Sequence, residues 1–404
     1  MGHARDSRGG PGTARSPRQS GAPLNAPLSA DQRLAALRLI RSDNVGPVTF
    51  RELVGHFGSA ERALEALPEL SRRGGYRQPI RICPRDAAEA ELAAAARIGA
   101  RALIVGEPGY PPALAAIDPP PPLLYVRGHA GHLARPMLAI VGARNGSAAG
   151  QKLARLFASA IGGAGFVIVS GLARGIDAAA HEAALPTGTV AVLAGGPDNV
   201  YPPEHLLLQQ RIAEDGCLVA ENPPGFVPRA QDFPRRNRII SGLALGVLIV
   251  EAARRSGTLV TARMAGEQGR EVFALPGHPL DPRAEGTNGL LKSGATLVTE
   301  PDDVLQALSP LLREPLSPAE APGRPMARQR ALPLDEPQAP ASPASLLEAD
   351  RSRLLEALGP APTDVDELAR ATGLSPRAIQ IGLLELALAG RLERHGHHLV
   401  SLKP

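Results

Sequence analysis

A glycine-rich segment behind an apolar run is the first place where this sequence could do chemistry. Residues 141–150 read VGARNGSAAG, follow the apolar residues 137–140, and precede a stretch with helical periodicity. A strand, a glycine-rich turn and a helix start together present backbone N–H groups to an anion. Arg144 adds a planar, permanently charged donor just ahead of a helix predicted to begin near Ser147. The segment therefore predicts phosphate binding.

A second concentration of charge lies in the segment RAQDFPRRNRIISG. Between residues 229 and 238, four arginines stand against one aspartate, so the net charge of this stretch is +3. Phe233 lies inside it. A basic segment that carries an aromatic ring can follow a sugar-phosphate backbone while the ring stacks on a base. The alternative is that Phe233 anchors the core and the arginines form a solvated helix face, and the composition leaves both interpretations open.

The glycine segment fits neither of the common nucleotide-binding fingerprints. The spacing in residues 142–150 is G-x-x-x-G-x-x-x-G instead of GxGxxG, and the second strand ends in Ser170-Gly171 instead of an acidic residue. The P-loop pattern GxxxxGK[ST] does not occur in the sequence. We therefore expect neither NAD nor ATP, and no other cofactor.

The sequence offers little support for catalysis or for a bound metal. It contains no HExxH, Ser/His/Asp or paired-carboxylate motif, and Asp177 and His181 are spaced to share a helix face, where we expect a structural hydrogen bond. The histidines of residues 395–398 have no acidic or cysteine partner and are interpreted as surface. Cys83 and Cys217 lie far apart without a CxxC motif, which predicts neither a zinc site nor a disulfide.

The bulk composition bounds the possible partners. The chain has 404 residues and a net charge of +4 with a pI near 9.4, which permits nucleic-acid binding without requiring it. No apolar run approaches about 18 residues, and the N-terminus lacks the apolar centre of a signal peptide. We expect a cytoplasmic protein with no membrane partner.

The elements that must position these residues alternate between residues 136 and 300. Seven apolar strand candidates occur there, most of them separated by helical stretches: MLAIVGA, FVIVSG, TVAVLAGG, CLVAENP, LGVLIVEA, REVFALPG and ATLVTE. Near-continuous apolar strands predict a sheet buried on both faces, and right-handed crossovers give an α/β fold with a doubly wound, mostly parallel Rossmann-like sheet.

Four of these strands end in small-residue turns. They are Gly142-Ala143-Arg144, Ser170-Gly171, Gly195-Gly196 and Pro276-Gly277. Ligands bind beyond the carboxyl ends of the strands in such sheets, and glycine lets the backbone approach them closely. The four turns predict a site lined by backbone amides.

The flanking segments predict further domains. We divide the chain into a disordered tail (1–28), a SAM or helix-hairpin-helix-like bundle (29–75), a connector (76–135), the Rossmann-like core (136–302), a Pro-rich linker (303–345) and a winged helix (346–404). The connector contains a predicted helix, 87–97, and predicted strands at 102–105 and 123–126.

Neither accessory domain has the residues of a strong DNA-binding surface. Gly46 is followed by Pro47 and Val48, so the second glycine of the helical hairpin is missing, which favours packing or protein contacts for the bundle. The winged helix has a net charge of −1, and its candidate recognition helix, 376–389, contains Glu385, which would repel phosphates. We expect the core to dominate DNA binding.

The ordered set of motifs resembles the bacterial DNA-processing protein A family, also called DprA or Smf. The motifs are VGARNGSAAG (141–150), SGLARGIDAAAH (170–181), AVLAGGPDNVYPPEHLLL (191–208), the segment from FPRRNRIISG to FALPG (233–277), and GTNGLLKSGA (286–295). The resemblance is strong over about residues 100–300. The N-terminal bundle and the winged helix match accessory domains of some members.

This resemblance implies a single-stranded DNA-binding protein that is not an enzyme. Such a protein dimerises, protects incoming DNA during natural transformation and loads the recombinase RecA. The implied DNA-binding residues are Gly142, Ala143, Arg144, Ser170, Gly171, Arg229, Phe233, Arg235, Asn237, Arg238 and Gly277, with Phe233 as the stacking ring and Asn237 and Arg238 on the DNA backbone. The implied dimer contact includes Leu290 or Leu291, which should be partly exposed in a monomer. Ala230 stands where relatives often carry a lysine, and Arg229 beside it is the candidate substitute.

Two other classes of protein are alternatives. Rossmann-like nucleotide phosphoribohydrolases of the LOG, or lysine-decarboxylase-like, group carry a compact PGGxGTxxE motif, whereas here eight residues separate Pro276-Gly277 from Gly286-Thr287. A winged-helix transcription regulator would instead bind a specific duplex sequence.

Overall fold

The computed structural model describes residues 27–76, 78–312, 346–395 and 398–403. The N-terminal bundle consists of α1 (Ala30–Ile40), α2 (Pro47–Phe57) and α3 (Ala60–Arg73). Local sequence explains where these helices begin. Ser29 forms a capping box with Gln32, the Ser59 hydroxyl accepts a bond from a first-turn amide of α3, and Pro47 supplies the fixed φ of the first residue of α2.

The segment predicted as a connector contributes two strands to the central sheet. It contains α4 (Arg85–Arg97), β1 (Ala100–Ile104), a short α5 (Pro112–Ala115) and β2 (Leu123–Gly128), close to the predicted helix and strands. β1 pairs antiparallel with β2, and β2 pairs antiparallel with a strand of the Rossmann-like core. The sheet is therefore wider than the core alone would make it.

The core alternates strands and helices as the sequence predicts. Its strands are β3 (Met137–Val141), β4 (Val167–Ser170), β5 (Thr189–Leu193), β6 (Cys217–Ala220), β7 (Gly246–Ile249), β8 (Glu271–Ala274) and β9 (Thr296–Leu297). Its helices are α6 (Ala148–Gly163), α7 (Ile176–Ala184), α8 (Leu206–Asp215), α9 (Asp232–Leu243), α10 (Gly257–Glu267), α11 (Glu285–Lys292) and α12 (Pro301–Leu308). The last predicted strand, ATLVTE, is reduced to two exposed residues at the sheet edge.

The order of the nine strands defines a topological switch point. It is β1-β2-β6-β5-β4-β3-β7-β8-β9, and the seven strands from β3 to β9 run parallel. The chain starts in the middle at β3, moves outward to β6, and returns through α9 to β7 on the other side of β3. This arrangement confirms the predicted α/β, doubly wound, mostly parallel fold and directs attention to the carboxyl ends of β3 and β7.

Both faces of the sheet are buried, which explains the continuous apolar strands. Along β3, Leu138 and Ile140 pack with α6 and α7, while Ala139 and Val141 face the layer that contains α9 and α10. All five residues of β3 are buried. The alternation of side chains across the sheet therefore places an apolar residue in a core at every position.

The predicted linker begins inside a packed helix. Val304 and Leu308 of α12 are fully buried in the same cluster as α6. The winged helix follows as α13 (Glu348–Ala357), β10 (Thr363–Asp364), α14 (Val365–Thr372), α15 (Pro376–Leu388), β11 (Leu392–His395) and β12 (Leu399–Leu402). Its three strands form a sheet in the order β10-β12-β11.

The bundle packs between the core and the winged helix. Arg33 of α1 pairs at 2.5 Å with the buried Glu107, in the connector loop between β1 and α5, and Arg41 pairs with Glu91 of α4 at 2.8 Å. On the other side, α15 packs against α2 and α3. Glu385 of α15 is only 1% exposed and pairs with Arg351, so the expectation that it repels DNA from an exposed helix face is wrong.

Some predictions fall on residues that the structure does not describe. The tail (1–28) lies outside the described residues apart from 27 and 28, as does the part of the linker from 313 to 345 and part of the histidine cluster at 395–398. Among the described ranges, no helix combines the length and the apolar character that crossing a bilayer requires.

Candidate nucleic-acid interface

Two adjoining spaces open at the switch point. The first, here called the open groove, has a volume of about 780 Å³ and lies between α9 and the loops that follow β3 and β7. The second, here called the deep cavity, has a volume of about 340 Å³ and is bounded by the loops after β3, β4 and β5. Arg144, Phe233 and Arg236 line both spaces. The carboxyl ends of the parallel strands therefore bring the predicted Arg144 and Phe233 to one continuous surface.

A cation and two aromatic rings meet at the boundary between the groove and the cavity. The guanidinium carbon of the exposed Arg144 lies 5.5 Å from the centre of the Phe233 ring. Tyr201, which is 46% exposed, lies on the same ring with centroids 5.1 Å apart and a tilt of 53°. This arrangement joins the glycine-rich segment to the basic segment of the sequence. Both a positive charge and aromatic surface are available to a ligand there.

A carboxylate lies at the start of α6. Glu251, just after β7, accepts hydrogen bonds from the Ser147 amide at 2.9 Å and from its hydroxyl at 2.5 Å. The Ser147 hydroxyl in turn accepts the Gly150 amide at 2.9 Å. An internal carboxylate therefore occupies the place where helix-start amides would hold an anion. The negative charge of Glu251 disfavours an anion at this helix start, and the use of its amides for phosphate binding stays a prediction.

The strand-end glycines are required by internal packing. A Cβ on Gly142 would lie 2.6 Å from the Ile176 side chain, and one on Gly171 would lie 2.7 Å from the Arg236 guanidinium. A Cβ on Gly196 would lie 2.3 Å from the Pro223 carbonyl oxygen. Close approach of helices and loops therefore explains glycine at these positions without a ligand. Gly142 and Gly171 are buried, whereas Ala143 is half-buried.

A buried arginine forms the floor between the two spaces. Arg236 is 8% exposed and donates from Nη1 to the carbonyl oxygens of Gly171, at 2.7 Å, and of Val192. The Asp177 carboxylate lies nearby and accepts the amides of Gly171 and Ala173. Burial lowers the pKa of Arg236 to about 10 although Asp177 opposes this effect, so the guanidinium stays charged at neutral pH.

Asp177 and His181 do not form the predicted hydrogen bond with each other. The ring nitrogen Nδ1 of His181 lies 2.7 Å from the Thr189 hydroxyl, which itself donates to the Ile168 carbonyl. Nδ1 must therefore carry the proton, and the buried Nε2 is left without a partner within the described residues. Burial also raises the pKa of Asp177 and lowers the pKa of His181 to about 3. Asp177 therefore stabilises the loop after β4, whereas His181 contacts strand β5.

The remaining residues of the basic segment divide into exposed and internally bonded positions. Arg229 and Arg235 are exposed and form no ion pair with any described residue. Asn237 is half-buried and lines the open groove. Arg238 pairs with Glu221 at 2.5 Å and donates to the Pro119 carbonyl at 3.1 Å. Its guanidinium therefore already has partners within the protein.

Four predicted residues lie away from the Arg144–Phe233 contact. Ser170 is fully buried and donates to the Ile140 carbonyl at 2.6 Å. Gly277 lines neither the groove nor the cavity. Its backbone forms two hydrogen bonds with the Asn288 side chain of α11. Leu290 and Leu291 are half-buried on the same helix, as expected of a monomer.

Three site residues were not singled out from the sequence. Tyr201 and the exposed Arg255 come from loops after β5 and β7, and no local pattern distinguishes either of them. Arg236 could have been found, because Arg236, Ile239, Ile240 and Leu243 follow the i, i+3, i+4, i+7 spacing of the buried face of α9. Across the described ranges, no group of three or more His, Cys, Asp or Glu side chains could hold a metal ion.

Comparison with known proteins identifies the family. Residues 101–309 match the family of DNA recombination-mediator protein A. The chain belongs to the DprA/Smf family. Residues 30–94 match the DprA-like N-terminal HHH domain, and residues 337–397 match the DprA winged helix domain. The predicted resemblance and the kinds of accessory domain are therefore confirmed.

Individual relatives are similar over most of the chain. Protein Smf of Escherichia coli is 44% identical over 285 residues, covering 70% of this chain and 72% of that protein. The X-ray structure of DNA processing protein A from Streptococcus pneumoniae aligns with a TM-score of 0.58 and 32% identity, covering 70% of this chain and 98% of its own. DNA processing protein A from Helicobacter pylori, reported for its unique single-stranded DNA binding mode, aligns with a TM-score of 0.48 and 30% identity, covering 52% and 96% respectively.

Proposed function

We propose that this protein binds single-stranded DNA in the open groove and deep cavity. The observation that carries the proposal is the contact of Arg144 with Phe233 at the boundary between the two spaces. A ring that stacks on a base needs an unpaired base, whereas a cation beside it needs only a phosphate. The arrangement favours single strands and little sequence preference. Gly142, Ala143, Gly171 and Arg236 shape the surface.

The phosphate contacts in this proposal come from exposed arginines. Arg144, Arg235 and Arg255 are all exposed, and Arg144 and Arg255 line the open groove. Arg229 is also exposed and is the proposed replacement for the family lysine. Arg238 is already paired with Glu221. To contact the DNA backbone, it must exchange this carboxylate for a phosphate. Each neutralised phosphate releases counterions, so affinity should fall steeply with salt.

The proposed biological role follows the family. We propose that the protein acts in the cytoplasm as a homodimer, protects incoming single strands during natural transformation, and loads RecA onto them without catalysing a reaction. The half-buried Leu290 and Leu291 on α11 are the proposed dimer contact. Two linked sites on one strand would raise the effective concentration of the second contact.

The test compares single-stranded and duplex DNA of equal length and sequence. The full chain is titrated with labelled oligonucleotides over a salt series, and fluorescence anisotropy gives the affinities. We expect the single strand to bind at least tenfold more tightly than the duplex, with similar affinity for several sequences. Tighter binding to one duplex sequence would support a transcription regulator, and hydrolysis of AMP would support a phosphoribohydrolase; either result overturns the proposal.

A further inference from the structure

The helix α15 occupies the position of a recognition helix but has two apolar faces. Ile379, Leu383 and Leu386 pack into the core of the winged helix itself. Leu384 and Leu388, four residues apart, pack instead into the cluster of the N-terminal bundle. In a duplex-binding winged helix, the outward face of this helix would lie in the major groove. Here that face is covered by α2 and α3.

The backbones of the two domains touch at one glycine. A Cβ on Gly74, which ends α3, would lie 2.0 Å from the Glu385 carbonyl oxygen and 2.9 Å from the Cβ of Ala389. The three nearest atoms to this position belong to α15 or to the residue that ends it. Gly74 has a φ of −68°, which any residue adopts, so the bundle itself does not require glycine here. Glycine is required at this position only because the winged helix packs against it.

Polar contacts surround this apolar interface. The Asn44 side chain donates to the Leu388 carbonyl at 2.9 Å, which satisfies one of the free carbonyls at the end of α15. Arg391 donates to the Gly74 carbonyl at 3.3 Å. The guanidinium of Arg394 bonds both carboxylate oxygens of Glu52 at 2.9 Å. These bonds fix the orientation of the winged helix as well as its position.

We propose that α15 is a protein-docking helix whose partner is the N-terminal bundle of the same chain. The bundle then covers the face of α15 that would contact the bases of a duplex. The winged helix therefore binds protein through this face instead of the major groove of DNA. The apolar character of α15 on both faces and the small residue at Gly74 both follow from this role. The proposal does not depend on where single-stranded DNA binds.

The experiment measures docking in the full chain by cross-linking. Cysteines replace the ion pair through Glu52→Cys and Arg394→Cys, while the two native cysteines are buried. A short bis-maleimide is added at low protein concentration, and mass spectrometry separates links within one chain from links between chains. We expect an efficient link within one chain.

A matched pair of glycine variants tests the interface itself. Gly74→Ala adds a methyl group whose three nearest atoms belong to Glu385 and Ala389, whereas Gly55→Ala, in the exposed part of α2, adds one that meets nothing within 4 Å. We expect Gly74→Ala to reduce the yield of the link at least fivefold, and Gly55→Ala to leave it unchanged. Circular dichroism checks that both variants keep their helices. Links only between chains, or equal yields in the two variants, would overturn the proposal.

Discussion

Arg144 and Phe233 belong to different elements and meet only in the folded protein. The first follows β3 and the second begins the crossover helix α9. Their separation of 5.5 Å gives one position a charge and a stacking surface together. Glu251 accepts the Ser147 amide at the start of α6, and its negative charge disfavours an anion there, so Arg144 is the nearby positive charge of the loop. At the scale of single residues, these two side chains should therefore make separable contributions.

Replacing Arg144 should weaken binding through the phosphate contact. We expect Arg144→Ala to reduce single-strand affinity by about tenfold, and to reduce the slope of log K against log salt by about 0.7, the value for one phosphate of a single strand. Anisotropy titrations over a salt series measure both quantities. Arg155→Ala, which removes another exposed arginine from α6, is the control. An unaltered slope and affinity would remove Arg144 from the site.

Replacing Phe233 should weaken binding without changing its salt dependence. Stacking of a base on an aromatic ring contributes about 1–3 kcal/mol, so Phe233→Ala should reduce affinity by roughly five- to 150-fold. The slope with salt should stay as in the wild type because no charge is lost. Leu207→Ala, at a residue that is 72% exposed on α8, is the control. A change no larger than that of the control would contradict base stacking at Phe233.

The buried His181 should make stability depend on pH. Its pKa of about 3 lies below the ordinary value of 6.5, so the unfolded chain binds a proton that the folded chain does not. The free energy of unfolding should therefore fall as the pH drops below about 6.5, by about 1.4 kcal/mol per pH unit from this group. Denaturant titrations between pH 7 and 5 should show a smaller loss for His181→Gln, but not for His278→Gln, which is at an exposed position. Equal pH dependence in all three proteins would contradict this account.

At the scale of elements, the sequence predicts the strands and the kind of fold well. Continuous apolar stretches and glycine turns locate all seven core strands, because β3 to β7 are buried on both faces. The joining of β1 and β2 to the same sheet is not predictable in this way, since antiparallel pairing depends on distant partners. The short length of β9 is equally unpredictable from the sequence. The number of its residues that pair depends on the adjacent strand β8, which an apolar stretch does not reveal.

The site is only partly predictable for the same reason. Arg144 and Phe233 stand out by residue type, but Glu251 and Tyr201 become relevant only when separate loops meet at the switch point. The burial of Arg236 can be predicted from its helical spacing with Ile239 and Ile240. Residue type alone would instead place an arginine on the surface.

The helix α11 is the element on which the proposed dimer depends. Leu290 and Leu291 are half-buried on it, beside a surface depression of about 590 Å³ that Leu290 helps to line. We expect Leu291→Arg to halve the mass measured by light scattering and to weaken binding to strands long enough to span two sites. Leu207→Arg, on the exposed side of α8, serves as the control. A dimer of unaltered mass and affinity would place the interface elsewhere.

At the scale of the whole molecule, charge and packing assign different tasks to the domains. The core contains the exposed arginines and the aromatic contact, whereas the winged helix has a net charge of −1 and directs α15 against the bundle. Since phosphate neutralisation supplies most non-specific affinity, single-stranded DNA should bind the core. The bundle, which pairs with Glu107 of the connector and with Arg394 of the winged helix, should then serve mainly protein contacts.

The most direct test of this account is to locate bound DNA on the full chain. A single strand containing 4-thiothymidine is bound to the protein, irradiated, and the cross-linked peptides are identified by mass spectrometry. The account predicts that the strongest links fall on peptides containing Tyr201 or Phe233, and that Arg144→Ala reduces their yield. Links confined to the bundle (30–73) or to the winged helix (346–403), with the Tyr201 and Phe233 peptides unmodified, would contradict it.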